Sequence, residues 1–218
     1  MNKSPHEGLY LCEMFSSIQG EGSYSGYPCF FIRLAGCNLR CSYCDTTFAH
    51  GPGALTEVGE IMQSWKKAGI SLVLVTGGEP LLQPGVYTLM ERILQEGGRC
   101  LLETNGSLSV ARVPARVVKI LDWKTPGSGH AESFHLENLK FISKKDQIKF
   151  VIDSKKDYEW GLNRVREYYL PQICQVLFSP VPGKVEPAKL AAWMLRDRPD
   201  ARLQLQLHKI LWGDRKGV

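Results

Sequence analysis

The chain has 218 residues, 44% apolar and 22% charged, with a net charge of +5. That length suits one well-packed domain and is short for two, and the composition excludes disordered and collagen-like classes. No apolar run approaches the length that crosses a bilayer, and the stretch from Met1 to Gly8 has no apolar signal core, so a cytoplasmic protein is expected.

Seven cysteines are an odd number, and three of them are clustered. That fits a reducing compartment and a metal centre better than a disulfide framework. The basic residues are scattered, which suits a small anionic substrate as well as it suits nucleic acid, so charge does not decide.

In chain order, residues 10–15 read as a strand. Polar, glycine-rich Ser16–Gly22 follows, either a hairpin connection or a ligand loop in which Gln19 and Glu21 supply hydrogen-bonding side chains. Composition alone favours the connection. A second apolar strand at 29–34 is interrupted by Arg33, whose guanidinium needs an anion, either a core carboxylate or a substrate carboxylate.

That strand leads into Cys37-Asn38-Leu39-Arg40-Cys41-Ser42-Tyr43-Cys44, spaced C-x-x-x-C-x-x-C. Thiolates select zinc, Cu(I) or iron–sulfur clusters. A structural zinc site needs a fourth ligand, usually from a second cysteine knuckle, and none exists here. A cubane [4Fe-4S] cluster held by three cysteines keeps one iron open for a small molecule.

Beyond this loop, apolar residues at helical spacing predict helices over 56–68, with Thr56 as N-cap and Gly69 as stop, and over 84–96, closed by Gly97-Gly98. Strands are predicted at 71–76, 99–104 and 117–122. They end in Thr76-Gly77-Gly78-Glu79-Pro80, Glu103-Thr104-Asn105-Gly106 and Asp122-Trp123-Lys124. Further strands are expected at 148–152, 175–178 and 203–207, and helices at 155–169 and 187–196. Strand and helix alternate, the pattern of a parallel α/β barrel or open sheet with ligands at the carboxyl ends of its strands. Cys12, Cys29, Cys100 and Cys174 read as small core residues, with Cys29 as the outside candidate for a fourth cluster ligand.

The triad, with Tyr43 before its last cysteine, resembles the radical S-adenosylmethionine (SAM) superfamily, and Thr76–Pro80 is a second match. In that superfamily the open iron chelates SAM, and the glycine-rich turn receives the SAM ammonium. Gln19-Gly20-Glu21-Gly22, Cys44-Asp45-Thr46, Glu103–Gly106, Asp122–Pro126 and Gln206-Leu207-His208-Lys209 run in the order found in that superfamily's ring-contracting family, which forms 7-carboxy-7-deazaguanine. The resemblance covers nearly the whole chain.

It implies a shortened radical SAM TIM-type barrel with mostly parallel strands. The expected domain is single, 1–218, with a cluster loop at 37–46 and a substrate-contacting segment at about 203–218. The implied cluster ligands are Cys37, Cys41 and Cys44. Implied SAM contacts are Tyr43, Cys44, Asp45, Gly78, Glu79, Glu103, Asn105, Asp122, Trp123 and Lys124, together with Ser179, Pro180, Val181 and Pro182. Implied contacts to a pterin substrate are Ile18, Gln19, Gly20, Glu21, Arg33, Thr76 and His208, and Thr46 is the implied Mg²⁺ ligand. No catalytic side chain is implied beyond the radical chemistry that the cofactors carry.

The implied reaction is that of a lyase in queuosine and 7-deazapurine synthesis. It converts 6-carboxy-5,6,7,8-tetrahydropterin to 7-carboxy-7-deazaguanine with loss of ammonia. An external reductant of flavodoxin or ferredoxin type is expected, as is a homodimer, with no nucleic-acid or membrane partner. Two competing readings are a glycyl-radical-enzyme activase, which shares the cysteine spacing, and a non-catalytic zinc or iron–sulfur binding module.

Overall fold

The structure is a computed structural model that describes residues 8–213, 215 and 217. The reading of the first seven residues, and part of that of the last five, lies outside the described residues. Nine strands form one sheet: β1 (Gly8–Ile18), β2 (Pro28–Leu34), β3 (Ala54–Glu57), β4 (Leu72–Gly77), β5 (Arg99–Thr104), β6 (Val118–Asp122), β7 (Gln147–Ile152), β8 (Gln175–Pro180) and β9 (Arg202–Leu203). Their order is β3-β1-β2-β4-β5-β6-β7-β8-β9. From β2 to β9 every neighbouring pair is parallel, while β1 is antiparallel to both β2 and β3. The two end strands are not paired with each other, so the barrel is open and shortened.

Two apolar layers hold it. A large one packs the outer face of the sheet against α1 (Val58–Ala68), α2 (Gly85–Gln95), α3 (Lys155–Glu167), α4 (Leu170–Ile173) and α5 (Pro187–Asp197). A small one fills the barrel floor with Cys29, Phe31, Leu72, Leu74, Leu101, Val118 and Ile120, backed by the stacked Phe15–Phe31 pair. Above that floor the inward positions turn polar. Strand register brings Arg33 level with Thr76, Glu103 with Ile120 and Asp122 with Lys149. Side chains two apart on a strand share a face. The carboxyl ends of β2 and β4–β8 therefore point a ring of polar groups into one bowl.

Several sequence expectations change. Thr56 lies in the short β3 and α1 begins after Glu57, without a side-chain cap, though Gly69 does end α1 in the left-handed conformation at φ 67°. The alternation of strand and helix breaks twice: β5–β6 and β6–β7 are joined by turns and 3₁₀ segments with no α-helix. The strand expected at 203–207 shrinks to β9, and Leu207 already opens α6 (Leu207–Trp212). Cys12 is only partly buried, whereas Cys29, Cys100 and Cys174 are core residues as expected. Cys29 belongs to the barrel floor and not to the cluster loop.

Candidate active site

The bowl is a cavity of about 480 Å³, within the usual range for small-molecule sites. Cys37, Cys41 and Cys44 line it as free thiols. Their loop is anchored from several sides. Ser42 Oγ donates to the Gly127 carbonyl, Arg40 N donates to His130 Nε2 at 3.1 Å, and the Tyr43 hydroxyl meets Thr125 Oγ1 at 3.2 Å. Leu39 N donates to Cys37 Sγ at 3.4 Å, and His50 Nε2 lies 3.7 Å from Cys44 Sγ.

Among the described residues no three His, Cys, Asp or Glu side chains converge tightly enough to hold a single metal ion.

Of the residues expected to contact SAM, Gly78, Asn105, Asp122, Lys124 and the 179–182 segment line the cavity. Lys124 Nζ is 2.9 Å from Asp122 Oδ2. Burial works against the Lys124 charge, but Asp122 more than offsets it and the amine stays well above its ordinary range. Burial also raises the Tyr43 hydroxyl to about 12, so it remains protonated.

Of the residues expected to contact the pterin, Ile18, Gln19, Glu21, Arg33, Thr76 and His208 line it too. Arg33 finds a protein carboxylate: Nε donates to Glu13 Oε1 at 2.8 Å across the β1–β2 pair. Thr76 Oγ1 donates to Glu103 Oε2 at 3.0 Å. Burial raises the Glu103 carboxyl, with the Lys149 cation opposing. Burial would raise Glu21 too, but the Lys149 ammonium and the bonds from Lys149 and Gln206 bring it down to about 2. Burial lowers His208, with the Glu21 and Asp45 carboxylates opposing.

Thr46 Oγ1 lines the cavity and donates to Asp45 Oδ1 at 2.8 Å. Gln19 Nε2, Gln206 Oε1 and Asp122 Oδ1, all on cavity residues, are buried without a hydrogen-bond partner among the described residues. Polar atoms left in that state are expected where a ligand completes them.

Three of the residues expected at the site are not among those that line the cavity. Trp123 points out of the barrel, 2% exposed, stacked on Phe134 with ring centroids 4.0 Å apart. Glu79 is fully buried and accepts bonds from Leu81 N, Thr104 Oγ1 and Asn105 N, so it braces the turn after β4 instead of facing the cavity. Gly20 packs beneath the His208 ring.

Sequence reading missed Lys149, Glu13 and Gln204. Lys149 sits in the apolar run Ile148–Ile152, where only its unpaired charge could have signalled a buried partner.

The radical SAM superfamily profile matches residues 31–178. The 7-carboxy-7-deazaguanine synthase of Chlorobaculum tepidum is 44% identical over 96% of this chain and 97% of its own length. The enzyme of the same name from Koribacter versatilis is 42% identical over 96% of this chain and 100% of its own length. The crystal structure of QueE from Escherichia coli superposes with a TM-score of 0.76 at 23% identity, covering 92% of this chain and 95% of that one, a likeness of fold. By profile and by relatives that match from end to end, the chain belongs to the radical SAM superfamily and, within it, to the 7-carboxy-7-deazaguanine synthase family.

Proposed function

We propose that this chain converts 6-carboxy-5,6,7,8-tetrahydropterin to 7-carboxy-7-deazaguanine, acting as an ammonia-releasing lyase. Superfamily membership brings a [4Fe-4S] cluster and SAM with it. One observation carries the reading. A free-cysteine triad and a second set of polar side chains, Gln19, Glu21, Arg33, Thr76 and His208, line one cavity.

Cys37, Cys41 and Cys44 would hold the cluster, and Gly78, Asn105, Asp122, Lys124 and Ser179–Pro182 would hold SAM beside it. When bound, the two supply one-electron, hydrogen-abstracting chemistry. The chain's own task is placement. Glu13 occupies Nε of Arg33, so a substrate carboxylate meets the terminal nitrogens. Ionised Glu21 accepts from the N–H groups of the pterin, and the unpartnered Gln19 Nε2 donates to its carbonyl. Ile18, Phe15 and Phe31 close the floor and exclude water.

The hydroxyl of Thr46, beside the Asp45 carboxylate, offers the hard oxygen ligation that Mg²⁺ takes with few protein ligands. The continuous sheet supports reading 1–218 as one domain. A homodimer, a flavodoxin- or ferredoxin-type reductant and a cytoplasmic setting complete the proposal. Among the described residues no helix is long and apolar enough to cross a membrane.

The test is an anaerobic assay of the reconstituted protein with the carboxytetrahydropterin, SAM and a chemical reductant, read by product absorbance and mass. The deazaguanine acid is expected. Preparations that contain zinc without sulfide would sink the proposal, as would SAM cleavage that never yields that product. Cys41→Ala is expected to lose the cluster's visible absorbance together with all SAM cleavage.

A further inference from the structure

We propose that Lys149 is a positioning residue that ties two parts of the cavity lining together, holding Glu21 as an acceptor for the pterin and bracing Asp122, which is assigned to SAM. The proposal rests on the functional reading above and deepens it.

Lys149 is 8% exposed. Its Nζ lies 2.7 Å from Glu21 Oε2 and 3.8 Å from Asp122 Oδ2. The backbone that carries it is fixed, because β6 and β7 pair Asp122 with Lys149 and Trp123 N donates to the Lys149 carbonyl at 2.9 Å. The ammonium is therefore delivered to the centre of the bowl by the sheet, not by a loop.

Glu21 receives three side-chain donors, and only one is a cation. Gln204 Nε2 donates to Oε2 at 3.0 Å and Gln206 Nε2 donates to Oε1 at 2.8 Å, while Lys149 supplies the charge. The other titratable groups that act on Glu21 are Glu103 from β5 and His208 from α6, while Asp122 from β6 meets the same Lys149 ammonium. Arg33 on β2 is engaged by Glu13, and Asp45 on the cluster loop reaches Glu21 only through the Gln206 amide. Asp122 keeps a second cation in Lys124. For Glu21 the remaining group of that kind is the His208 imidazole, whose influence is weaker than that of Lys149.

Without the Lys149 charge, the buried Glu21 and Glu103 carboxylates would lose their strongest opposing cation and keep only the weaker influence of His208 on Glu21 and of Arg33 on Glu103, so that one would more readily take up a proton. A protonated Glu21 has lost acceptor capacity and can no longer receive the donors of a pterin edge. Removing one partner of a buried ion pair also leaves the other charge stranded.

The test uses the full chain with its cluster reconstituted. Equilibrium binding of the carboxytetrahydropterin and of SAM is measured separately between pH 6 and 8. Wild type is expected to bind the pterin with less than a twofold change across that range. In Lys149→Met, pterin affinity is expected to fall at least tenfold at pH 6 and to recover as pH rises. SAM affinity should fall less, because Asp122 retains Lys124. Lys149→Arg should restore most pterin affinity and the flat profile. Glu21→Gln combined with Lys149→Met should lose the pH dependence, a result that a purely structural defect would not produce.

If Lys149→Met does not fold, Lys149→Gln is read in the same way, and a wild-type affinity that drops more than threefold from pH 8 to 6 already overturns the assignment. A Lys149→Met protein with wild-type affinity and a flat profile overturns it too. A wild type that binds SAM but no pterin overturns the functional reading and this assignment together.

Discussion

Gly77 and Gly78 show how a motif residue can be needed for a reason other than its ligand. At Gly77, φ is 140°, and an added Cβ would strike the Leu34 carbonyl oxygen. At Gly78 it would strike the Gly36 carbonyl and come within 2.9 Å of Cys37 Cβ. The pair lets the turn after β4 lie directly on the strand end that leads into the cluster loop. The sequence marks a tight approach here, but it does not reveal that the approaching partner is the chain's own backbone. Overpacking against side chains costs typically 1–3 kcal/mol, and backbone cannot turn aside as a side chain does. Gly78→Ala is therefore expected to destabilise the fold by at least that amount and to lower iron incorporation, measured by denaturant titration and by iron content after reconstitution. Near-normal stability with full iron loading would contradict this packing. Arg33 adds a second case at this scale. The sequence left its anion open between protein and substrate, and the structure places Glu13 on Nε. Arg33→Ala should weaken pterin binding at least tenfold while product formation falls more than SAM cleavage, since the proposal assigns this residue to the pterin and not to SAM.

At the scale of elements, the parallel strands were legible because they are buried on both faces and so read as unbroken apolar runs. Helices α1, α2, α3 and α5 were legible from their apolar spacing, and Gly69 from its place after the last apolar turn. Strand β3 was not: its four residues are partly or largely exposed, and their composition fits a loop. The alternating Leu203–Leu207 stretch looked like a strand because Gln204 and Gln206 occupy the polar positions. In the structure both glutamines reach Glu21, more than 180 residues earlier in the chain, and strand pairing ends at Leu203. Lys149 escaped notice for the same reason, since Glu21 is 128 positions away. Trp123 shows the limit of a contiguous motif. Asp122 and Lys124 line the cavity, and strand-end alternation turns Trp123 the other way, into contact with Phe134, Phe150, Trp160 and Tyr168. Trp123→Ala is expected to cost about 3–5 kcal/mol of stability, read from denaturation midpoints. The milder Trp123→Phe should leave SAM affinity within twofold of wild type. A tenfold loss of SAM affinity in a stable Trp123→Phe protein would return this side chain to the cofactor site.

At the scale of the whole molecule, an open barrel must still close its cavity. The sheet does not do so, because β3 and β9 are unpaired ends and the β5–β6 and β6–β7 crossovers bring no α-helix. Closure instead comes from the chain after β9, which crosses back to the loop after β1. Leu207 N donates to the Gly20 carbonyl at 3.0 Å, Gly22 N donates to Gln204 Oε1 at 2.6 Å, and Gln206 bridges Glu21 and Asp45. Gly20 is the hinge point of this closure, since a Cβ there would collide with His208 Nδ1 and lie 3.1 Å from its backbone nitrogen. The substitution Gly20→Ala must therefore displace the His208 ring and press on the backbone of the closing segment. None of the three cysteines, nor Asp122 or Lys124, belongs to either segment, so the damage should fall on the pterin side first. The expected result is a KM for the pterin raised at least tenfold, with product formation falling more steeply than SAM cleavage, so that the two become uncoupled. Equal losses in both would mean that the segment after β9 supports the cofactor side as well, and that this barrel closes as a unit instead of by a strap over its substrate.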